Sequence, residues 1–359
     1  MNMIEVDGSF REGGGQILRT ALSLSCLLQK PFKIYDIRRG RRKPGLMPQH
    51  LACVRAAKLI SNAHVTGDII GSAELFFSPG KVKSGDYLFD IGTAGSTSLV
   101  LQTIIPAVLL SKVEKTTITL IGGTHVPFSP CFHYLANVFS PMLKLIGIDL
   151  TLSIVSCGFY PKGGGKVSAE VNPSEEIRPL RVIKRGNLAR LAVISGVGNL
   201  PLSIAERQKD GFFRKLRAFM TDSICPVDFE IMNVSTPGQG TFCFLHAESA
   251  ESLAGFTTLG ARGKKAELVG QEAAEEFRDY YFTGSALDPY LSDQIILYLA
   301  MCGEESVFST SRITEHLLTN LRVIGLFHKY SYEVRGEHGK PGTVRINPSS
   351  NNKKDIYME

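Results

Sequence analysis

Hydrophobic positions along this chain alternate between two rhythms. "MIEVDGS" reads as a strand, and "GQILRTALSLSCLLQ" carries apolar residues at helical spacing with no breaker after Gly15. "PFKIYDIR" returns to strand composition, rich in β-branched and aromatic residues. "PQHLACVRAAKLISNA" predicts a helix with Pro48 in its first turn. "HVTGDII" and "AELFFSP" finish the series as two strands. The order is β-α-β-α-β-β within about 80 residues.

The same order then recurs. "DYLFDIG", "STSLVLQTIIPAVLLS", "TTITLIGG", "SPCFHYLANVFSPMLKLIG", "DLTLSIVSC" and "KVSAEV" supply the six elements again. A third copy is split. "RPLRVI" gives its first strand, and "PYLSDQIILYLAMCG", "SVFSTS", "TEHLLTNLRVIGLF", "YSYEV" and "TVRINP" give the rest. Between the pieces lie a strand (190–197), a helix (203–220), two strands (226–234 and 240–247) and a helix (266–281). A compact insert whose ends lie close together interrupts a connection at little topological cost. The expected class is therefore α+β. Residues 1–183 and 282–359 form a large domain of three repeats, and 184–281 form an inserted small domain. Identity between the copies is low, so a plain α+β chain of unrelated units is the competing organisation.

Composition narrows the class. With 359 residues, 43% hydrophobic and 21% charged, the chain is globular and long enough for a large core. The net charge of +6 is compatible with a polyanionic partner without requiring one. Seven cysteines are scattered, mostly in apolar runs, and form no C-x-x-C. They read as reduced thiols of a cytoplasmic protein, not as disulfides or a zinc site. "MNMIEVDGSFREGGGQ" carries charge where a secretory signal needs an apolar stretch. The longest apolar runs, such as "SLVLQTIIPAVLL", fall short of a membrane span and contain Gln102 and Pro106.

Four stretches carry candidate chemistry. In "REGGGQILR" (11–19), three glycines open a helix whose free N–H groups suit phosphate, with Glu12 before them and Gln16 and Arg19 sharing a face after them. It matches neither G-x-G-x-x-G nor a P-loop. "RRGRRKPG" (38–45) is the densest positive run and leads into the helix at Pro48, a setting for bidentate phosphate contact or a solvated loop. "DIGTAGSTSLVLQ" (90–102) is another small-residue turn before a helix that carries Gln102. "YLSDQ" (290–294) places Asp293 and Gln294 ahead of an apolar segment. "GGTHVPFSP" and "YPKGGGKV" are further glycine-rich turns, the latter a hairpin between the last two strands of the second copy. His316, in "SRITEHLLTN", falls in the first turn of the second helix of the third copy; Gln49 holds that place in the first. A histidine beside an apolar run is ordinarily a packed residue. If the copies pack about a common axis, however, several helix starts converge on one polar site.

Taken together, "EGGGQILR", "KPGLMPQH", "GTAGSTSLVLQ", "GFYPKGGGKV", "YLSDQ" and "EHLLTN", in that order and spacing, resemble the RNA 3′-terminal phosphate cyclase family over nearly the whole chain. The same repeat resembles that of enolpyruvyl transferases, so the fold alone does not give the function. The resemblance implies that His316 is a nucleophile that takes AMP from ATP. AMP then passes to an RNA 3′-phosphate, and the ribose O2′ closes a 2′,3′-cyclic phosphodiester. It implies ATP contacts at Gln102, Pro130, Tyr290, Leu291, Ser292, Asp293 and Gln294. It implies phosphate binding by Gln16, Arg19, Arg38, Arg41 and Gln49, and a divalent ion, Mg²⁺ or Mn²⁺, at Glu12. The partner implied is RNA with a 3′-terminal phosphate, with no membrane; the oligomeric state stays open, a homodimer being one candidate.

The implied chemistry is coherent. Neutral imidazole is a good nucleophile near neutral pH. Phosphoryl-type transfer depends mainly on positioning and charge stabilisation. The ribose itself holds O2′ beside the phosphorus. One departure is Cys157, where the family often carries a basic residue. Non-catalytic cyclase-like proteins of ribosomal RNA processing lack the histidine motif, which this chain keeps; an enolpyruvyl-type transferase would lack "HLLTN". The insert contains none of the implied site residues and is expected to lie away from the nucleotide.

Overall fold

The computed structural model describes residues 3–110, 114–174, 176–221 and 225–348; the last residues assigned to the third repeat, 349–359, and Ser111 at the end of its expected helix lie outside these. The first unit runs β1 (Ile4–Asp7), α1 (Gly15–Leu28), β2 (Phe32–Tyr35), α2 (Pro48–Ser61), β3 (His64–Thr66) and β4 (Leu75–Ser78). The second runs β5 (Asp86–Asp90), α3 (Thr97–Leu110), β6 (Thr116–Gly122), α4 (Phe132–Tyr134), α5 (Ser140–Leu145), β7 (Leu150–Ser156) and β8 (Gly165–Val171). The third opens with β9 (Arg181–Val182). After β10 (Leu188–Gly198), α6 (Ser203–Leu216), β11 (Val227–Asn233), β12 (Gly240–Ser249), β13 (Leu253–Leu259) and α7 (Ala266–Tyr281), it resumes with α8 (Pro289–Ala300), β14 (Ser306–Thr310), α9 (Glu315–Phe327), β15 (Tyr330–Arg335) and β16 (Gly342–Pro348). The molecule is α+β.

Sheet topology repeats with the element order. The sheets run β1-β2-β4-β3, β5-β6-β8-β7 and β9-β14-β16-β15. In each, the first pair is parallel and the other two are antiparallel. A parallel pair needs a crossover, and in every unit the first helix supplies it. Alternating burial along β6 and β8 shows one face of the second sheet turned to the core. The sheet of 184–281 is ordered β11-β10-β12-β13, a different arrangement. A cluster of buried side chains drawn from Leu188 to Tyr280 lies between that sheet and α6 and α7.

Three elements depart from the sequence reading. β13 is additional: "LAGFTTL" lacks clear alternation, and its small residues Ala254 and Gly255 hide a strand that pairs antiparallel with β12 along its length. The single helix expected over 129–147 is broken by a π-helical stretch, Leu135–Phe139, before Pro141. Proline has no N–H for the carbonyl one turn back, and the wider turn absorbs the lost bond. α6 ends at Leu216, short of the expected 220.

The first helices of the three units, α1, α3 and α8, lie together. α1 packs on α2, α3 and α9, and α8 packs on α3 and α9. Their apolar faces join the main core. Their polar residues border one cavity. No described helix is long and apolar enough to cross a membrane.

Candidate active site

The cavity encloses about 580 Å³. α1 contributes Gln16, Arg19 and Thr20, α3 contributes Leu99 and Gln102, α8 contributes Tyr290, Asp293 and Gln294, and α9 contributes His316 and Asn320. Glu12 enters from the turn before α1, and Phe128, Ser129 and Pro130 from the loop before α4. Convergence of helices from all three units therefore builds the site.

His316 is the second residue of α9. Thr314 caps this helix, its hydroxyl oxygen accepting from the Leu317 N–H at 2.9 Å and donating its own proton to Asp293 Oδ1 at 2.5 Å. Nδ1 of His316 lies 2.7 Å from Glu12 Oε1, and the imidazole remains about half exposed to the cavity. Gly13, at φ 54°, bends the chain so that Glu12 points toward α9. At Gly15 a Cβ would stand 2.3 Å from His50 Nε2 and 2.9 Å from Arg19 Nη1, so glycine leaves the room in which those side chains pack.

These contacts set the protonation states. The contact with Glu12 pushes the His316 pKa up, with Asp293 adding to the rise against the effect of burial. Burial pushes Glu12 up, but His316, Arg41 and Arg19 together hold its carboxyl below the usual range. Asp293 is pushed up to about 7, chiefly by burial. Arg19 is half-buried at the cavity wall with its charge near Glu12.

A polar web fixes the walls. Asn320 accepts from Thr20 Oγ1 at 2.7 Å and Gln16 Nε2 at 3.1 Å, and donates to the Asp293 carbonyl at 2.8 Å. Arg19 donates to Gln16 Oε1 at 2.8 Å. Gln102 donates to Gln294 Oε1, tying α3 to α8. Asp288 caps α8 by accepting from the N–H groups of Tyr290 and Leu291, both at 2.8 Å, and also takes the Tyr134 hydroxyl at 3.0 Å. Phe128 stands fully exposed at the rim with φ 62°, a strained conformation for a bulky residue.

Of the residues singled out from sequence, Glu12, Gln16, Arg19, Gln102, Pro130, Tyr290, Asp293, Gln294 and His316 border the cavity. Arg41 stands behind Glu12, 3.5 Å from Oε2. Arg38 turns to its own loop, donating to the carbonyls of Lys43 at 2.6 Å and Gly45 at 3.1 Å. Gln49 is engaged by the small-residue turn of the second unit, accepting from Ser96 N–H and donating to its carbonyl. Leu291 and Ser292 are buried beneath the wall. Thr314, Asn320, Tyr134 and Phe128 were missed by the sequence reading. Asn320 had a signal, since it follows His316 by four residues and shares its helical face. One expectation is corrected: the insert is not remote from the site. Gly255 and Thr257 of β13 border the cavity, and Gly255 donates its N–H to Asp288 at 3.2 Å.

A divalent ion fits Glu12. The carboxyl is held ionised by His316, Arg41 and Arg19, and beyond the contacts of Oε1 with His316 and of Oε2 with Arg41 at 3.5 Å it keeps lone pairs for an ion. A carboxylate offers about four lone-pair sites. Mg²⁺ commonly takes one or two carboxylates and completes its shell with phosphates and water.

A carboxylate-backed histidine at a helix start, in a cavity flanked by arginine and amides, is an arrangement suited to covalent catalysis at phosphorus. The family model of RNA 3′-terminal phosphate cyclase matches residues 10–334. The chain is 43% identical to the RNA 3′-terminal phosphate cyclase of Sulfolobus acidocaldarius over 93% of its own length and 97% of the relative's. It is 42% identical to that of Thermococcus kodakarensis, covering 96% and 98%, and 41% identical to that of Methylococcus capsulatus, covering 96% and 97%. The chain belongs to the RNA 3′-terminal phosphate cyclase family.

Proposed function

We propose that this chain converts an RNA 3′-terminal phosphate to a 2′,3′-cyclic phosphodiester at the expense of ATP, with His316 carrying AMP between the two substrates. The observation that supports this most is the 2.7 Å contact between His316 Nδ1 and Glu12 in a cavity that admits a nucleotide. An ionised carboxylate at Nδ1 keeps the proton there and leaves the Nε2 lone pair as the nucleophile.

Nε2 attacks the α-phosphorus of ATP; the N–P bond forms, the bond to the bridging oxygen breaks, and pyrophosphate leaves. Positive charge developing on the ring faces Glu12, which stabilises it. An oxygen of the RNA 3′-phosphate then attacks the same phosphorus, the N–P bond breaks, and His316 regains its lone pair. Finally O2′ attacks the terminal phosphorus, loses its proton, and AMP departs. Arg19 and Arg41 place positive charge near the phosphates, while Pro130, Tyr290, Gln102 and Gln294 line the nucleotide's space. A divalent ion held by Glu12 would neutralise phosphate charge.

The same reading assigns 1–183 and 282–359 to one domain and 184–281 to an inserted one, with Gly255 and Thr257 carrying the insert to the cavity. The seven free, buried cysteines support a cytoplasmic location. Incubation with α-labelled ATP followed by denaturing electrophoresis and peptide mapping tests the reading. Covalent label on the peptide containing His316 is expected. A folded protein that takes up no label would instead be a non-catalytic RNA-binding member of the family.

A further inference from the structure

The glycine-rich turn after β6 leads into "THVPFSPCFH", whose polar residues have no part in the chemistry above. Three of its side chains meet below the cavity wall. His125 Nε2 lies 2.8 Å from His133 Nδ1, and the donor atoms of His125, Cys131 and His133 all fall within 4.8 Å of one another. Phe242 stacks on both rings, at 4.2 Å from His125 and 5.0 Å from His133, while Phe159 and Phe244 close the sides. Among the described residues no other such group of histidine, cysteine or carboxylate donors occurs.

We propose that His125, Cys131 and His133 bind a transition-metal ion of the Zn²⁺ type. The donor set is right for it: two imidazoles and a thiolate are the ligands that borderline-soft cations select over Mg²⁺. Both rings are buried, and their nitrogens face each other at 2.8 Å. The outer contacts are also in place. Thr124 Oγ1 lies 2.8 Å from His125 Nδ1, so it can hold the ring proton there and free Nε2. Gly158 donates to the same hydroxyl oxygen at 3.0 Å, which fixes the threonine. With protons on His125 Nδ1 and His133 Nε2, both facing nitrogens offer lone pairs, and binding releases one proton, that of the Cys131 thiol. Bond lengths of about 2.0–2.1 Å to nitrogen and about 2.3 Å to sulfur require the facing nitrogens, 2.8 Å apart, to part so that the ion can enter between them.

The ion would act as a staple. Cys131 follows Pro130 of the cavity wall, and its sulfur lies 3.2 Å from the hydroxyl of Thr257, which borders the cavity from β13. The cluster thus sits in the seam between the second unit and the strands of the insert.

Co²⁺ is the probe. The full-length protein, stripped of metal and titrated with Co²⁺ alone, is expected to develop a thiolate-to-cobalt charge-transfer band that saturates at one ion per chain. The band should vanish in Cys131→Ser, weaken in His133→Gln, and persist in Glu12→Gln. Wild-type protein that is folded by circular dichroism and binds Co²⁺ without a thiolate band overturns the proposal, whatever the variants do. So does loss of the band in a folded Glu12→Gln variant.

Discussion

His316 and the pair His125–His133 carry the same ring in opposite surroundings. His316 is half exposed, faces a carboxylate at 2.7 Å, and has its pKa pushed up. His133 and His125 sit among phenylalanines with no carboxylate of the described residues against them; burial pushes His133 down to about 4 and His125 well below the ordinary value. A neighbouring carboxylate favours the charged ring and suits a nucleophile that must become cationic as it is phosphorylated. An apolar box favours the neutral ring and suits a metal ligand. Environment, not residue type, separates the two roles.

The comparison can be broken first at Glu12. Because the folded pKa of His316 is raised, the protonated, non-nucleophilic form of its ring persists to higher pH. Self-adenylylation should therefore rise with pH through a midpoint above the usual histidine value. Glu12→Gln removes the carboxylate, so the midpoint should move down while the plateau falls by roughly 10²-fold or more. The pH profile of adduct formation reads both. An unmoved midpoint would mean that the carboxylate does not set the state of the ring.

A smaller effect is expected behind Glu12. Arg41→Ala should slow the first step by about tenfold, the loss of one charge-assisted contact of about 1.5–3 kcal/mol discounted for exposure. The melting temperature should stay nearly unchanged, since the side chain is 43% exposed. Single-turnover kinetics would check the rate, and an unchanged rate would mark the loop as merely solvated.

Much of this arrangement was legible in the chain. The order β-α-β-α-β-β announces itself by periodicity, and three sheets of one topology follow from it. "YLSDQ" shows both the reach and the limit of such reading. The stretch is singled out whole, but helical periodicity places Tyr290, Asp293 and Gln294 on the cavity face and buries Leu291 and Ser292. β13 was hidden because small residues give no alternation. Its contribution of Gly255 and Thr257 depends on long-range packing that no local pattern encodes. The His125, Cys131 and His133 cluster has no familiar ligand spacing, and only the fold of the loop onto the helix start brings its sulfur near the two imidazoles.

The central claim is that His316 accepts AMP and is dispensable once AMP is on the RNA. His316→Ala should fold, since alanine suits a first helical turn. Supplied with ATP, the variant should form no covalent adduct. Supplied with RNA already bearing AMP on its 3′-phosphate, it should still release AMP and leave a cyclic end, more slowly if the ring also assists the leaving group. A variant that labels itself with AMP at the normal rate would contradict the account.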